Sequence, residues 1–272
     1  MSNTGDQSTF IVEAVRRILE ESAMATLVTL VEARAMVGAK LLVDESNDRV
    51  GTLGDAALDE AVARHAQKFL ASRAEAATFK VEEISGNLEA FSDARLLFER
   101  IEPEPRLVIC GAGHVGASLA RLAHLVGYHI TLIDDRAEFV TRERFPEKEI
   151  ELIAAENWSD AVSACVGRGR GVAVAVVTRG HNEDEECMRA VLAARPDYVG
   201  LIGSKRRTNI VLERLRASGF DETVLEQVRA PIGLDIGAVS PEEVALSILA
   251  EIVAERRGGT GVSLSEWRRK KK

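Results

Sequence analysis

The stretch Leu107 to Gly116, L-V-I-C-G-A-G-H-V-G, constrains this chain more than any other. Leu107 to Cys110 have the apolar character of a buried strand. Val115, Leu119, Leu122 and Val126 then recur at the spacing of a helix. A strand, a G-x-G-x-x-G turn and a helix in this order make a dinucleotide-type fingerprint. Gly111 permits the tight turn, Gly113 lets backbone approach a pyrophosphate, and Gly116 lets the helix pack on the strand. Free N–H groups at the helix start, among them that of Val115, then face an anion. The next strand, His129 to Ile133, ends in Asp134-Asp135-Arg136. Asp134 lies 23 positions after Gly111, near the ~20 expected for an acid that grips a ribose hydroxyl. Arg136 would instead suit a 2′-phosphate.

The expected fold class is α/β, with a C-terminal Rossmann-type parallel-sheet domain and a smaller N-terminal α/β domain. Glu102-Pro103-Glu104-Pro105 marks the boundary, because two prolines in three positions forbid a helix. The domains are read as residues 1–102 and 103–258, followed by a flexible tail over 259–272 whose last residues, Arg268 to Lys272, are basic and solvated. In the first domain the pattern predicts a helix over 9–22 with an apolar stripe from Phe10 to Leu19. Strands follow at Ala25–Val31 and Ala39–Val43, then a helix from Asp55 to Ser72 and a short strand at Thr78–Val81. Residues 85–100 show no dominant period. In the second domain strands and helices alternate. Gly171 to Val177 is apolar on both faces, as a central parallel strand requires. Ser240-Pro241-Glu242-Glu243 is a capping box that opens the last helix.

Ligands of an open parallel sheet bind outside the carboxyl ends of its strands. Those ends carry Gly111 to His114, Asp134 to Arg136, Thr178 to His181, Gly203 to Arg207 and Gly233 to Asp235. Gly203-Ser204-Lys205-Arg206-Arg207 sets three cations at a strand end and helix start, a second anion site. His114 and His181 each suit a general acid, a ligand or a turn residue. Asp235, among two glycines and a proline, reads either as a functional carboxylate or as one that ties its loop by accepting N–H bonds. Cys110 and Cys187 read as core.

Net charge is −8, which argues against a nucleic-acid partner. The three cysteines are scattered and form no C-x-x-C, so neither a disulfide framework nor a metal site is expected. The polar start, MSNTGDQST, lacks the apolar core of a signal peptide. No apolar run approaches the ~20 residues of a membrane span. No membrane association and a reducing cytoplasm are therefore expected.

Taken together, these motifs resemble the XdhC/CoxI family of molybdenum-enzyme maturation factors. The matching pieces are Gly111-Ala112-Gly113-His114-Val115, Ile133-Asp134-Asp135-Arg136 with Phe139 and Arg144-Phe145-Pro146, Thr178-Arg179-Gly180-His181, Tyr198 to Ser204, and Ala230 to Ala238 with Pro241-Glu242-Glu243. The first domain is more loosely similar, through Thr26–Val31, Gly38-Ala39-Lys40 and Gly51-Thr52-Leu53-Gly54. Members usually continue that last motif with more glycine, and some carry a cysteine there. This chain has Asp55-Ala56-Ala57-Leu58 and no cysteine before Cys110.

The resemblance implies a protein that binds molybdenum cofactor, as molybdopterin or a dinucleotide form. It would protect the cofactor, assist its sulfuration and deliver it to a xanthine dehydrogenase- or carbon monoxide dehydrogenase-type apoenzyme. The implied partners are that molybdenum hydroxylase apoenzyme and a cysteine desulfurase; a homodimer is compatible. An accessory protein is favoured over a stand-alone enzyme. Two alternatives stay open, an NAD(P)-dependent oxidoreductase and a nucleotide-sensing binding module. Against the oxidoreductase, neither Tyr198 nor Tyr128 has a lysine four positions on, and the first domain offers one histidine, His65.

Overall fold

The computed structural model describes residues 4–72, 74–91, 93–167 and 170–265, without the side chains of 4–8, Glu89 and His181. The basic stretch Arg268 to Lys272 lies outside the described residues. The chain divides into two compact units, Met1–Pro103 and Glu104–Lys272.

The first unit is a five-stranded antiparallel sheet between helices. Its elements are α1 (Thr4–Glu20), β1 (Ala25–Glu32), β2 (Lys40–Asp44), β3 (Arg49–Thr52), α2 (Ala56–Ser72), β4 (Ala76–Lys80), α3 (Val81–Ile84) and β5 (Arg95–Ile101). The strand order is β3-β2-β1-β5-β4. Alternation along each strand feeds two cores. Val28, Leu30, Leu41, Val43, Leu96 and Phe98 pack with Leu58, Val62, Ala66 and Phe69 of α2. Ala25 and Leu42 pack with Ala14 and Ile18 of α1. The stripe expected on α1 is narrower than its sequence suggests, because Phe10 and Leu19 are 55% and 40% exposed. Val81 opens α3 rather than closing a strand, since its carbonyl accepts the Ser85 N–H at 2.9 Å.

The second unit holds β6 (Arg106–Cys110), α4 (His114–Leu125), β7 (His129–Asp134), β8 (Ile150–Ala154), α5 (Trp158–Val166), β9 (Val172–Val176), α6 (His181–Ala194), β10 (Tyr198–Leu201), α7 (Lys205–Ala217), α8 (Glu222–Leu225) and α9 (Pro241–Arg257). All five strands are parallel, in the order β10-β9-β6-β7-β8. Val108, Val174 and Val176 point toward α5, α6 and α7, while Leu107, Ile109, Ala173 and Ala175 point toward α4 and α9. With both faces covered, β9 is buried along its whole length. Val126 is 56% exposed and caps α4 instead of continuing its apolar face. The capping box at α9 forms, with Ser240 Oγ accepting the Glu243 N–H at 3.2 Å and Glu243 Oε2 accepting the Ser240 N–H at 2.9 Å. Among the described residues, no helix is long and apolar enough to cross a membrane.

Candidate functional site

The chain leaves β6 toward β7 and β8 on one side, then returns to β9 and β10 on the other. Strand order therefore reverses beside β6, and the loops after β6 and β9 flank the switch point at which sheets of this kind form their ligand crevice. Parallel register brings the ends of β6, β7, β9 and β10 to one edge. The fifth loop joins them. Arg229 bridges Gly200 in parallel, and the Ile232 N–H reaches the Leu201 carbonyl at 3.0 Å, so Gly233 to Asp235 emerge beyond β10.

The three fingerprint glycines differ in what holds them. Gly111 sits at φ +115°, and a side chain there would meet the Val177 carbonyl oxygen at 2.6 Å. At Gly116 a Cβ would lie 1.8 Å from the Gly111 carbonyl oxygen. Both are fixed by protein neighbours. Gly113 has an ordinary φ of −66° at the start of α4, and nothing lies within 4 Å of a Cβ built on it. His114, the exposed first residue of α4, borders a cleft of about 250 Å³ with Ala117, Ser118, Arg121, Arg144 and Glu242. Val115 follows, half-buried.

Asp134 is 1% exposed. Its Oδ2 accepts the Ala112 N–H at 2.7 Å and Arg136 Nη2 at 2.9 Å; Oδ1 accepts the Arg136 N–H at 3.0 Å and Nε at 2.8 Å. Burial raises the pKa of this carboxyl, but the Arg136 and Ala112 hydrogen bonds outweigh it, and the net shift is downward. Burial and the neighbouring Asp134 carboxylate push Asp135 the other way, although Arg179 pairs with it at 2.9 Å.

Across the crevice, the Thr178 hydroxyl donates to Asp184, which is fully buried on α6. Arg207 closes on the same carboxylate through Nε at 2.7 Å and Nη2 at 2.5 Å. One of the three cations expected to face an anion is thus turned inward. Ser204 caps α7 by accepting the Arg207 N–H at 3.2 Å. Lys205 and Arg206 are exposed, and among the described residues neither takes part in an ion pair. Asp235 is exposed and does not tie its loop. Glu251 does, accepting the Gly233 N–H at 2.8 Å and the Tyr198 hydroxyl at 2.6 Å. His181 opens α6, and its side chain lies outside the described residues.

The structure therefore brings the Gly111, Asp134, Thr178, Gly203 and Asp235 loops to one edge. Sequence reading missed Asp184 and Glu251; Arg207 lies 23 positions from Asp184, and Gly233 and Tyr198 lie 18 and 53 from Glu251. An acidic residue on an otherwise apolar helix face was their one signal. Cys110, Cys165 and Cys187 share the core behind the crevice. Burial pushes the Cys165 thiol up to about 11 and the Cys187 thiol well above its usual range. Among the described residues, no group of three or more His, Cys, Asp or Glu side chains is arranged to hold a metal ion.

A doubly wound parallel sheet with an open glycine turn at its switch point defines a Rossmann-type binding domain. Residues 107–252 match the XdhC Rossmann domain, and residues 18–81 match the XdhC and CoxI family. The chain belongs to the XdhC and CoxI family. It is 34% identical over 157 residues to the uncharacterized protein YqeB of Escherichia coli (strain K12), covering 58% of this chain and 28% of that one. A protein of Bacillus subtilis (strain 168) named as a probable xanthine dehydrogenase subunit is 31% identical over 162 residues, 60% of this chain and 46% of the relative. The molybdenum cofactor insertion chaperone PaoD of E. coli (strain K12) is 32% identical over 84 residues, 31% of this chain and 26% of the relative. The chain spans less than half the length of each of these relatives. A solved xanthine dehydrogenase from Bacillus halodurans shares the fold, with a TM-score of 0.68 at 21% identity over 91% of this chain and 67% of that one.

Proposed function

We propose that this chain binds a molybdenum cofactor at the switch-point crevice and serves in the maturation of a molybdenum enzyme. Gly113 carries the reading. Its backbone angle is one that any residue adopts, and no protein atom crowds its missing side chain. A glycine that neither strain nor packing requires is explained by an outside group approaching the backbone. The α4 N-terminus supplies N–H groups suited to a phosphate. Lys205 and Arg206 supply positive charge on the same edge for the rest of an anionic ligand. The naming of PaoD as a molybdenum cofactor insertion chaperone supports the identity of that ligand.

Under this reading the cofactor is shielded in the crevice, receives sulfur while held, and passes to a xanthine dehydrogenase- or carbon monoxide dehydrogenase-type apoenzyme. The chain's three cysteines are buried, with the Cys165 and Cys187 thiols held protonated. They are poor sulfur carriers, so a separate donor such as a cysteine desulfurase supplies the sulfur. For the oxidoreductase alternative, Tyr198 and His65 are poorly placed as proton donors. Tyr198 is buried against Glu251, and His65 packs edge-on to Phe79 and Phe98 at 4.6 and 5.3 Å.

The test is cofactor retention. Purified protein is oxidised and read for pterin fluorescence, beside Gly113→Val. The reading expects fluorescence from the wild type and its loss from a variant with unchanged circular dichroism. Equal retention by both proteins would remove the glycine turn from the site, and turnover of a nicotinamide substrate would favour the oxidoreductase.

A further inference from the structure

The crevice is open on the Gly113 side and closed on the Asp134 side. Asp134 stands where a dinucleotide-binding unit keeps the carboxylate that grips a ribose diol. An ionised carboxylate offers about four lone-pair sites. All are taken here, by the N–H groups of Ala112 and Arg136 and by Nε and Nη2 of Arg136. The lock extends outward. The Arg136 guanidinium lies 3.6 Å from the centre of the Phe139 ring, and that of Arg144 lies 4.6 Å from it. Arg144 also donates to the carbonyls of Phe139 at 2.6 Å and Ala112 at 3.2 Å, fastening the 136–144 segment onto the glycine turn. A nucleoside entering on this side would have to break the Arg136–Asp134 pair and unstack Arg136 from Phe139 before gaining any contact.

Resting on the cofactor reading above, we infer that Arg136, Phe139 and Arg144 close the ribose side of the crevice, so that the protein takes the phosphate-monoester form of its pterin ligand and rejects dinucleotides. Arg136 is the residue that sets this choice. Gly113 provides for one phosphate group, and the anionic remainder of the ligand lies toward Lys205 and Arg206, away from Asp134. The spacing of Asp134 from the fingerprint thus resembles that of a dinucleotide site while its bonding does not.

The test titrates the full chain with three probes: molybdenum cofactor in its monophosphate form, the same cofactor as its cytosine dinucleotide, and NADH read by fluorescence. The wild type is expected to bind the monophosphate form at least tenfold more tightly than the dinucleotide and to leave NADH unbound. Arg136→Ala frees two of the bonds on Asp134, and its preference is expected to fall to about onefold with monophosphate affinity kept. Arg136→Met, which keeps an apolar stem over Phe139 without a donor, guards against a variant that fails to fold and is expected to lose the preference likewise. A wild type that binds the dinucleotide as tightly, or an unchanged preference in folded Arg136→Met, overturns the inference and leaves the cofactor reading standing. A wild type that binds no form of the cofactor overturns both.

Discussion

Asp134 and Asp184 flank the same crevice, both buried and both held by an arginine, yet the two arginines come from different distances. Arg136 is two residues from Asp134 and shapes one turn, which Ala112 then ties to the glycine loop. Arg207 is 23 residues from Asp184, and together with Thr178 it couples the loop after β9 to the start of α7. The same ion-pair chemistry therefore does a local job on one side and a long-range job on the other. A buried carboxylate whose arginine comes from another helix is harder to replace, because its loss strands a cation that its own turn cannot carry to solvent. In falling order of effect on stability, four comparisons of variants break or sharpen this contrast.

Asp184→Ala should do the most damage. It removes the acceptor of the Thr178 hydroxyl and leaves the three-quarters-buried Arg207 side chain uncompensated. Breaking a buried pair from one side costs about 3–5 kcal/mol. Asp134→Ala should cost less, about 1–3 kcal/mol, since Arg136 can swing to solvent from its own turn. Urea denaturation measures both. Equal losses would mean that partner distance is irrelevant.

Gly116→Ala comes next. A Cβ there would lie 1.8 Å from the Gly111 carbonyl oxygen, and forced overpacking costs about 1–3 kcal/mol. Gly113→Ala meets open space and should stay within about 0.5 kcal/mol of wild type. Comparable thermal midpoints for the two variants would contradict the geometry that distinguishes a packing glycine from a ligand-facing one.

Acid should loosen the Asp134 corner late. Its folded pKa lies below the ordinary 3.8, so its stabilising contribution is present above 3.8 and is lost as pH falls through the depressed value. Asp135 is shifted upward from 3.8. It therefore disfavours the folded state at neutral pH and relieves that penalty as pH falls through its raised value toward 3.8. Urea midpoints from pH 6 to 3 should show Asp134→Asn losing the wild type's steep acid limb, and Asp135→Asn losing the shallow gain that precedes it. A steeper acid limb in Asp134→Asn would mean that Asp134 is easier to protonate in the folded chain than in the unfolded one.

The parallel sheet was legible because its strands β6, β9 and β10 are apolar on both faces and lead into loops that carry glycine, which leaves few alternatives. The first unit was less so. β5 reads R-L-L-F-E-R-I, and its charges obscured a strand that lies inside the sheet between β1 and β4. Arg100 is accommodated there by donating to the Leu70 and Ala74 carbonyls, a solution that only the folded chain displays. At the crevice the glycine turn was readable from spacing alone. That Asp134 is occupied, that Arg207 faces inward and that Asp184 exists as a partner were not, because each depends on which side chain reaches which loop.

The smallest effect on stability, and the clearest on binding, is expected from Lys205→Ala/Arg206→Ala. Their neighbour Arg207 is committed to Asp184, whereas these two are exposed and outside every ion pair among the described residues. Removing them strands nothing, so the melting midpoint should stay within the scatter of surface substitutions, about 0.5 kcal/mol. Binding is another matter. A charge-assisted bond is worth about 1.5–3 kcal/mol, less where solvent screens it. At about 1.4 kcal/mol per tenfold, losing two such groups should weaken cofactor retention by roughly one to two orders of magnitude. High salt should shrink that gap, because exposed charges are screened over about 8–10 Å at physiological ionic strength. Arg207→Ala sharpens the comparison from the opposite direction, since it should destabilise the fold first and affect binding only through it. Unchanged retention of molybdenum cofactor by the folded double variant, at low and high salt alike, would reduce Lys205 and Arg206 to surface charge and confine the site to the glycine turn.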